Sequence, residues 1–210
     1  YTLPDMALSM QRINPLKKLG DDPKAWYSQI GISHNMSLKN KVSNFQKVYA
    51  DDWRGHNNSG YIFLMQNKIS DAETALATAA EKSPNNAIVN NNLGIIARWK
   101  GDRSKAEELY KSATSAGKEV YANLAIVNIL NGDYGGAVSN LSDIKSFNAS
   151  LAKLLNGDND GALKALEGVE ETAEVYYLKG VIGARTDSRD LMMNNLKTAF
   201  EKDGSLKEKA

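Results

Sequence analysis

The chain has 210 residues, 42% of them hydrophobic and 24% charged, enough to bury a core and too apolar for wholesale disorder. Its 26 basic residues face 25 acidic ones, a net charge of +1, which argues against the concentrated basic surface of a nucleic-acid binder. No stretch approaches the roughly 18 apolar residues of a membrane helix, and with no cysteine there are no disulfides, thiolate metal sites or cysteine nucleophiles.

The sequence begins at Tyr1 with neither a start Met nor a signal peptide, which predicts a processed or trimmed product. In residues 1–45, Pro4, Met6, Leu8 and Met10 alternate with other residues, and so do Ile30, Ile32, His34, Met36 and Leu38. A period of two predicts strands. Residues 14–23, with Pro15, Gly20 and Pro23, form a turn-rich connector. Residues 46–57 are polar and predict a linker or an incomplete first helix. We therefore divide the chain into an N-terminal strand pair or docking arm, 1–50, and a helical domain, 51–210.

From about residue 60 to 206 the period changes. Leu93, Ile96 and Ala97, then Ala106, Leu109, Tyr110 and Ala113, recur at spacings of three and four, which predicts helices. Gly60 and Gly94 stand at a separation of 34 in the numbering. Each is followed at offsets 3, 12, 16 and 19 by an apolar residue: Phe63, Ala72, Leu76 and Ala79, then Ala97, Ala106, Tyr110 and Ala113. A period in this range predicts stacked helix pairs. The small residue on the first helix admits close packing, and the alanine and larger apolar residue on the second fill the gap. Gly101-Asp102 supplies the turn and the next cap, and Pro84 ends a helix. The turn recurs at Gly132-Asp133 and Gly157-Asp158, and Asp187-Ser188 stands where a further one is due. The spacing varies, 31 from Gly101 to Gly132 and 25 from Gly132 to Gly157, and the 25-residue unit leaves room only for short helices. The predicted units are 57–84, 87–116, 119–145, 146–170 and 173–203.

Sites for chemistry are sparse. His34 lies on the alternating segment, and His56 follows Asp51, Asp52 and Arg54; a solvated loop histidine is the stronger reading of both. The motifs of serine acyl enzymes, phosphate loops and zinc proteases are missing. Asp158-Asn159-Asp160-Gly161 lacks the downstream glutamate of a calcium loop and reads as a turn and cap. The Asn-x-Ser sequences at Asn35, Asn57 and Asn148 read as chance. No cofactor or metal is expected.

Asn92-Leu93-Gly94, Gly101-Asp102, Ala106, Tyr110 and Ala113 resemble the tetratricopeptide consensus, and the resemblance extends over the helical part, most of the chain; Ala125 and Ser150 depart from it at the small-residue position. Thr2-Leu3-Pro4, the segment 12–17 (Arg12 to Lys17) and Trp26-Tyr27 are similar to a stretch of the lipopolysaccharide-transport outer-membrane barrels of Bacteroidetes. The first resemblance implies an all-α, right-handed helical-repeat solenoid acting by binding proteins, to which the alternating residues add a short N-terminal segment of possible β character. First helices would line a concave groove. There Asn58, Asn92, Asn123 and Asn148, each two positions before its unit's small residue, would pair an extended peptide backbone. Tyr61, Ile95, Arg98, Trp99 and Ile126 would flank them. Asn57, Asn91 and Ala122 stand where co-chaperone arrays carry basic residues, which disfavours binding of carboxylate tails. The expected function is a non-catalytic scaffold for a protein or extended peptide, periplasmic or outer-membrane-associated, with a cytoplasmic setting as the alternative. The alternatives are an accessory subunit of an outer-membrane assembly complex, with the strands docked on a β-protein, and the regulatory fragment of a larger enzyme.

Overall fold

The structure, a computed structural model, describes residues 35–209. All regular structure among them is helical. The α-helices are α1 (Asn35–Val48), α2 (Trp53–Met65), α3 (Ile69–Lys82), α4 (Ala87–Trp99), α5 (Arg103–Ser112), α6 (Lys118–Asn131), α7 (Tyr134–Asn140), α8 (Phe147–Leu155), α9 (Asn159–Ala165), α10 (Ala173–Arg185) and α11 (Arg189–Lys202). Short 3-10 turns follow α5 and α11. The chain falls into two compact units, Tyr1–Asn123 and Leu124–Ala210.

The helices pair as the offsets require. In the first unit α2 packs on α3 and α4 on α5; in the second, α8 packs on α9 and α10 on α11. The cause is a close approach at the small residue. A Cβ on Gly60 would come within 2.5 Å of Leu76 Cγ, and one on Gly94 within 2.6 Å of Tyr110 Cε1. Gly180 repeats the arrangement with Leu196, at the same offset and at 2.7 Å. Where Ala125 and Ser150 replace the glycine, the residues at that offset, Leu141 and Leu166, are again buried. Ala72, Leu76 and Ala79, and Ala106, Tyr110 and Ala113, are fully shielded from solvent. Each such leucine removed from water contributes about 1.5–3 kcal/mol.

Helix ends follow local chemistry. Asp102, Asp133 and Asp158 accept from the backbone N–H of Lys105 (3.0 Å), Gly136 (2.9 Å) and Gly161 (2.8 Å), so each satisfies a donor the helix leaves unpaired. The residue before each Asp has a left-handed backbone, φ +83° at Gly101, +79° at Gly132 and +88° at Gly157. At the remaining turns between paired helices Asn67 and Asp187 take that conformation, at φ 56° and 53°. Asn and Asp tolerate it better than other side chains. The short spacing between Gly132 and Gly157 is met by helices of 7 and 9 residues, α7 and α8.

One expectation is corrected. Alternation predicts strand at Met36 and Leu38, yet Asn35–Val48 is helical. Leu38, Val42 and Phe45 stand one full repeat before Ala72, Leu76 and Ala79. They therefore continue the second-helix pattern, at spacings of four and three. Val42 and Phe45 are buried and α1 packs on α2, and a Cβ on Gly55 would meet Phe45 Cδ1 at 3.1 Å. The alternation is too short to outweigh that period. The alternating residues 4–10, the connector 14–23 and His34 lie outside the described residues. The polar stretch 46–57 resolves into the end of α1, a turn capped by Asp52, which accepts from Arg54 N (2.9 Å), and the start of α2.

Candidate functional site

The first helices of the first unit carry four asparagines that meet one another. Asn92 Nδ2 donates to Asn57 Oδ1 at 2.8 Å, and one repeat on, Asn123 Nδ2 donates to Asn91 Oδ1 at 2.9 Å. Asn91 Nδ2 in turn donates to Asn92 Oδ1 at 3.3 Å, which joins the two pairs. All four residues are at most 3% exposed. The amides thus form a ladder across α2, α4 and α6, in which each first helix is held to the next by a buried hydrogen bond.

This ladder overturns the expected role of Asn92 and Asn123. The resemblance assigns both to a peptide-binding groove, and both are turned inward and engaged with other amides. Nothing in the sequence reading assigns a structural role to Asn57 and Asn91, the acceptors of the two long-range bonds. The signal that could have found them is the doublet: Asn57-Asn58 and Asn91-Asn92 recur at the period set by Gly60 and Gly94.

The other predicted residues of the first unit are distributed differently. Tyr61 and Ile95 are buried in the core, while Asn58, Arg98 and Trp99 keep partial exposure. Asn58 Nδ2 is itself shielded without a hydrogen-bond acceptor. Arg98 lies beside the buried hydroxyl of Tyr110. Burial pushes that phenol up to about 12, and the nearby guanidinium offsets part of the rise. Tyr110 stays neutral at any physiological pH and serves as packing over Gly94.

In the second unit Ile126 is nearly buried and Asn148 half-buried. Beside Asn148 the first helices carry a pattern that the asparagine spacing does not reveal. Phe147, Leu151 and Leu155 recur every four residues along α8, and Tyr177, Val181 and Arg185 do so along α10. The five apolar residues are half-buried, and Arg185 is exposed. Phe147, Leu151 and Val181 rest on one core cluster that includes Leu154, Leu178 and Ile182. Arg185 Nη1 donates to the Leu154 carbonyl at 2.9 Å, tying the C-terminal ends of the two helices together. The i, i+4, i+8 spacing is legible in the sequence and is the signal that could have found this face.

His56, Asp51 and Asp52 are occupied locally. His56 Nε2 lies 2.9 Å from the Ala50 carbonyl and donates to it. Asp51 pairs with Lys82 at 2.8 Å, and Asp52 holds both the backbone and the guanidinium of Arg54. Asp158 is the helix cap already described. No group of three or more metal-ligating side chains occurs among the described residues. No described helix is long and apolar enough to cross a membrane.

The fold so built is that of the tetratricopeptide-repeat proteins. The chain is similar to YrrB, a tetratricopeptide protein with an unusual peptide-binding site, at 18% identity and a TM-score of 0.61, over 78% of this chain and 92% of that one. It is similar to pilF of Pseudomonas aeruginosa at 15% identity and a TM-score of 0.70, over 97% and 96% of the two chains. A third similar structure, PilW, a type IV pilus biogenesis factor, has 13% identity and a TM-score of 0.68, over 80% of this chain and 85% of that one. At such identities the likeness is one of fold. Residues 1–100 match a family model described as LptD protein, in keeping with the N-terminal resemblance to lipopolysaccharide-transport barrels. Of that stretch, the described part carries α1 to α4 and no strand. No curated protein matches the sequence.

Proposed function

We propose that this chain is a non-catalytic scaffold that binds a partner protein or peptide on the exposed faces of its first helices. The observation that carries the reading is the pair of apolar stripes on α8 and α10, side chains left half-exposed after the helix pairs have formed their cores. Apolar groups with an exposed arginine at their edge are what a partner-binding surface needs. Half-exposed Asn58, Arg98 and Trp99 give the first unit a smaller, more polar face of the same kind, and Asn148 borders the stripe on α8. Peptide binding by the similar YrrB supports the reading.

The test is photo-crosslinking in the native host. A benzophenone amino acid at Trp99 or Leu155, on first helices, should capture a partner; the same probe at Lys105 or Lys197, on second helices, should not. Crosslinks confined to the second-helix positions would refute the reading.

The family match over residues 1–100 favours an envelope setting, periplasmic or outer-membrane-associated, and with it service as an accessory subunit of an outer-membrane assembly. The pilus biogenesis factor among the similar structures supports the same setting. Co-purification of a β-barrel protein with the full chain from solubilised outer membranes checks this, and recovery solely in the cytosolic fraction would refute it.

A further inference from the structure

We infer that α7 is a strap that opens while the rest of the second unit stays folded, and that one residue of α6, Asn128, clips it shut at both ends. The sequence of α7 makes it weak. It has 7 residues, and Gly135, Gly136, Val138, Ser139 and Asn140 among them are poor helix formers. A helix of two turns has no stability of its own in water, so α7 persists only through what it touches. Within it Ala137 alone is buried, with Leu141 just past its end. By contrast α9, of the same length, buries Ala162 and Ala165, and α10 buries Val175, Leu178 and Ile182 along its face.

Side-chain hydrogen bonds supply what apolar burial does not. Asn128 is 7% exposed and uses both ends of its amide. Its Nδ2 donates to Asp133 Oδ2 at 2.6 Å, at the cap that starts α7. Its Oδ1 accepts from Asn140 Nδ2 at 3.0 Å, at the last residue of the helix. The clip is particular to this turn, for Ala97 and Lys153 stand five positions before the corresponding caps Asp102 and Asp158. When the clip parts, both ends of α7 come loose together. The 15 residues from 132 to 146 then join α6 to α8 as a slack connector with a reach of roughly 50 Å. The closed strap fixes the spacing of α6 and α8; the open one leaves both helices intact and free to adjust. Opening takes few buried side chains into water, Ala137 and Leu141 foremost, so it exposes little surface.

Amide hydrogen exchange of the full chain, read by mass spectrometry on segments 134–141 of α7 and 175–183 of α10, tests this. Segment 134–141 should exchange at least about tenfold faster than 175–183, as a local opening does against a wider one. Urea at about 1 M should leave the rate of 134–141 unchanged and accelerate 175–183, because sensitivity to denaturant scales with the surface exposed. Asn128→Ala removes both clip bonds and should speed exchange of 134–141 by at least about tenfold, with 175–183 staying within about twofold of the parent. Gly135→Ala should slow exchange of 134–141 by about fivefold, the factor that the helix propensities of glycine and alanine imply. There is room for it, since the added Cβ meets nothing outside the helix nearer than Asn156 Oδ1 at 4.0 Å. Equal protection of the two segments with an equal response to urea would overturn the inference, and so would an unchanged rate in Gly135→Ala. Uniform acceleration of both segments by Asn128→Ala, or failure of that variant to fold, would show that Asn128 holds the unit as a whole and would overturn it as well.

Discussion

Replacement of Asn92 by alanine separates the two roles open to this residue. On a groove surface its loss would leave stability nearly unchanged. In the ladder it is 2% exposed, donates to Asn57 Oδ1 at 2.8 Å and accepts from Asn91 Nδ2 at 3.3 Å. Truncation removes both bonds and strands one acceptor and one donor in the interior. Each stranded group costs about 1–3 kcal/mol, so the expected loss for the two is roughly 2–6 kcal/mol. For a chain of this size that lowers the midpoint of thermal unfolding by roughly 4–24 °C. Circular dichroism melts would measure it, with urea titration at about 25 °C as the second probe. A cycle with Asn57→Ala isolates the pair: the double variant should be less destabilised than the sum, by about 0.5–3 kcal/mol. A midpoint for Asn92→Ala within about 1 °C of the parent, far below that range, would refute the ladder as a stabilising device.

Two further expectations are simpler. Gly94→Ala should destabilise the fold by about 1–3 kcal/mol, because its Cβ would overlap the Tyr110 ring and overpacking outweighs the gain of up to about 1 kcal/mol in helix propensity; an unchanged urea midpoint would show that the ring can move aside. Stability should also fall on acidification. Asp52 is raised by burial, but its bonds to Arg54 N and the Arg54 guanidinium and the charge of that group more than offset this, so it titrates below its ordinary 3.8. A carboxylate with a depressed folded value stabilises the protein above its unfolded value, and that contribution is lost as pH falls through the folded one. Exposed Asp51, Glu167 and Glu171 are lowered too, first by hydrogen bonds from Lys82, Lys145 and Tyr176. Urea midpoints should therefore hold steady from neutral pH to about 5 and decline below about 4; a rise in that interval would contradict the sign.

Much of the fold was legible because it rests on contacts between residues of fixed separation. A glycine in the middle of a first helix, followed at offset 16 by a large apolar residue on the second, specifies a close helix pair, and Gly60, Gly94 and Gly180 all form it. Turns such as Gly101-Asp102 are equally local: the left-handed backbone and the capping carboxylate involve only neighbours in sequence. Short-range geometry of this kind is written in the order of residues.

Which way a polar side chain faces is not written there. Asn92 and Asn58 are the same residue at the same place in successive units, yet the first is bound inside a ladder and the second keeps partial exposure. The difference lies in what packs beside each helix. Asn92 has Asn57 of the preceding first helix within reach, a residue far away in the chain, and a buried amide is tolerated only where such a partner exists. The same holds for α1. Its residues allow either an alternating strand or a helix, and the burial of Val42 and Phe45 where α1 packs on α2 decides for the helix. Contacts between segments far apart in sequence determine the faces, and with them the stripes on α8 and α10, whose half-exposed side chains are those that their own helix pairs do not cover.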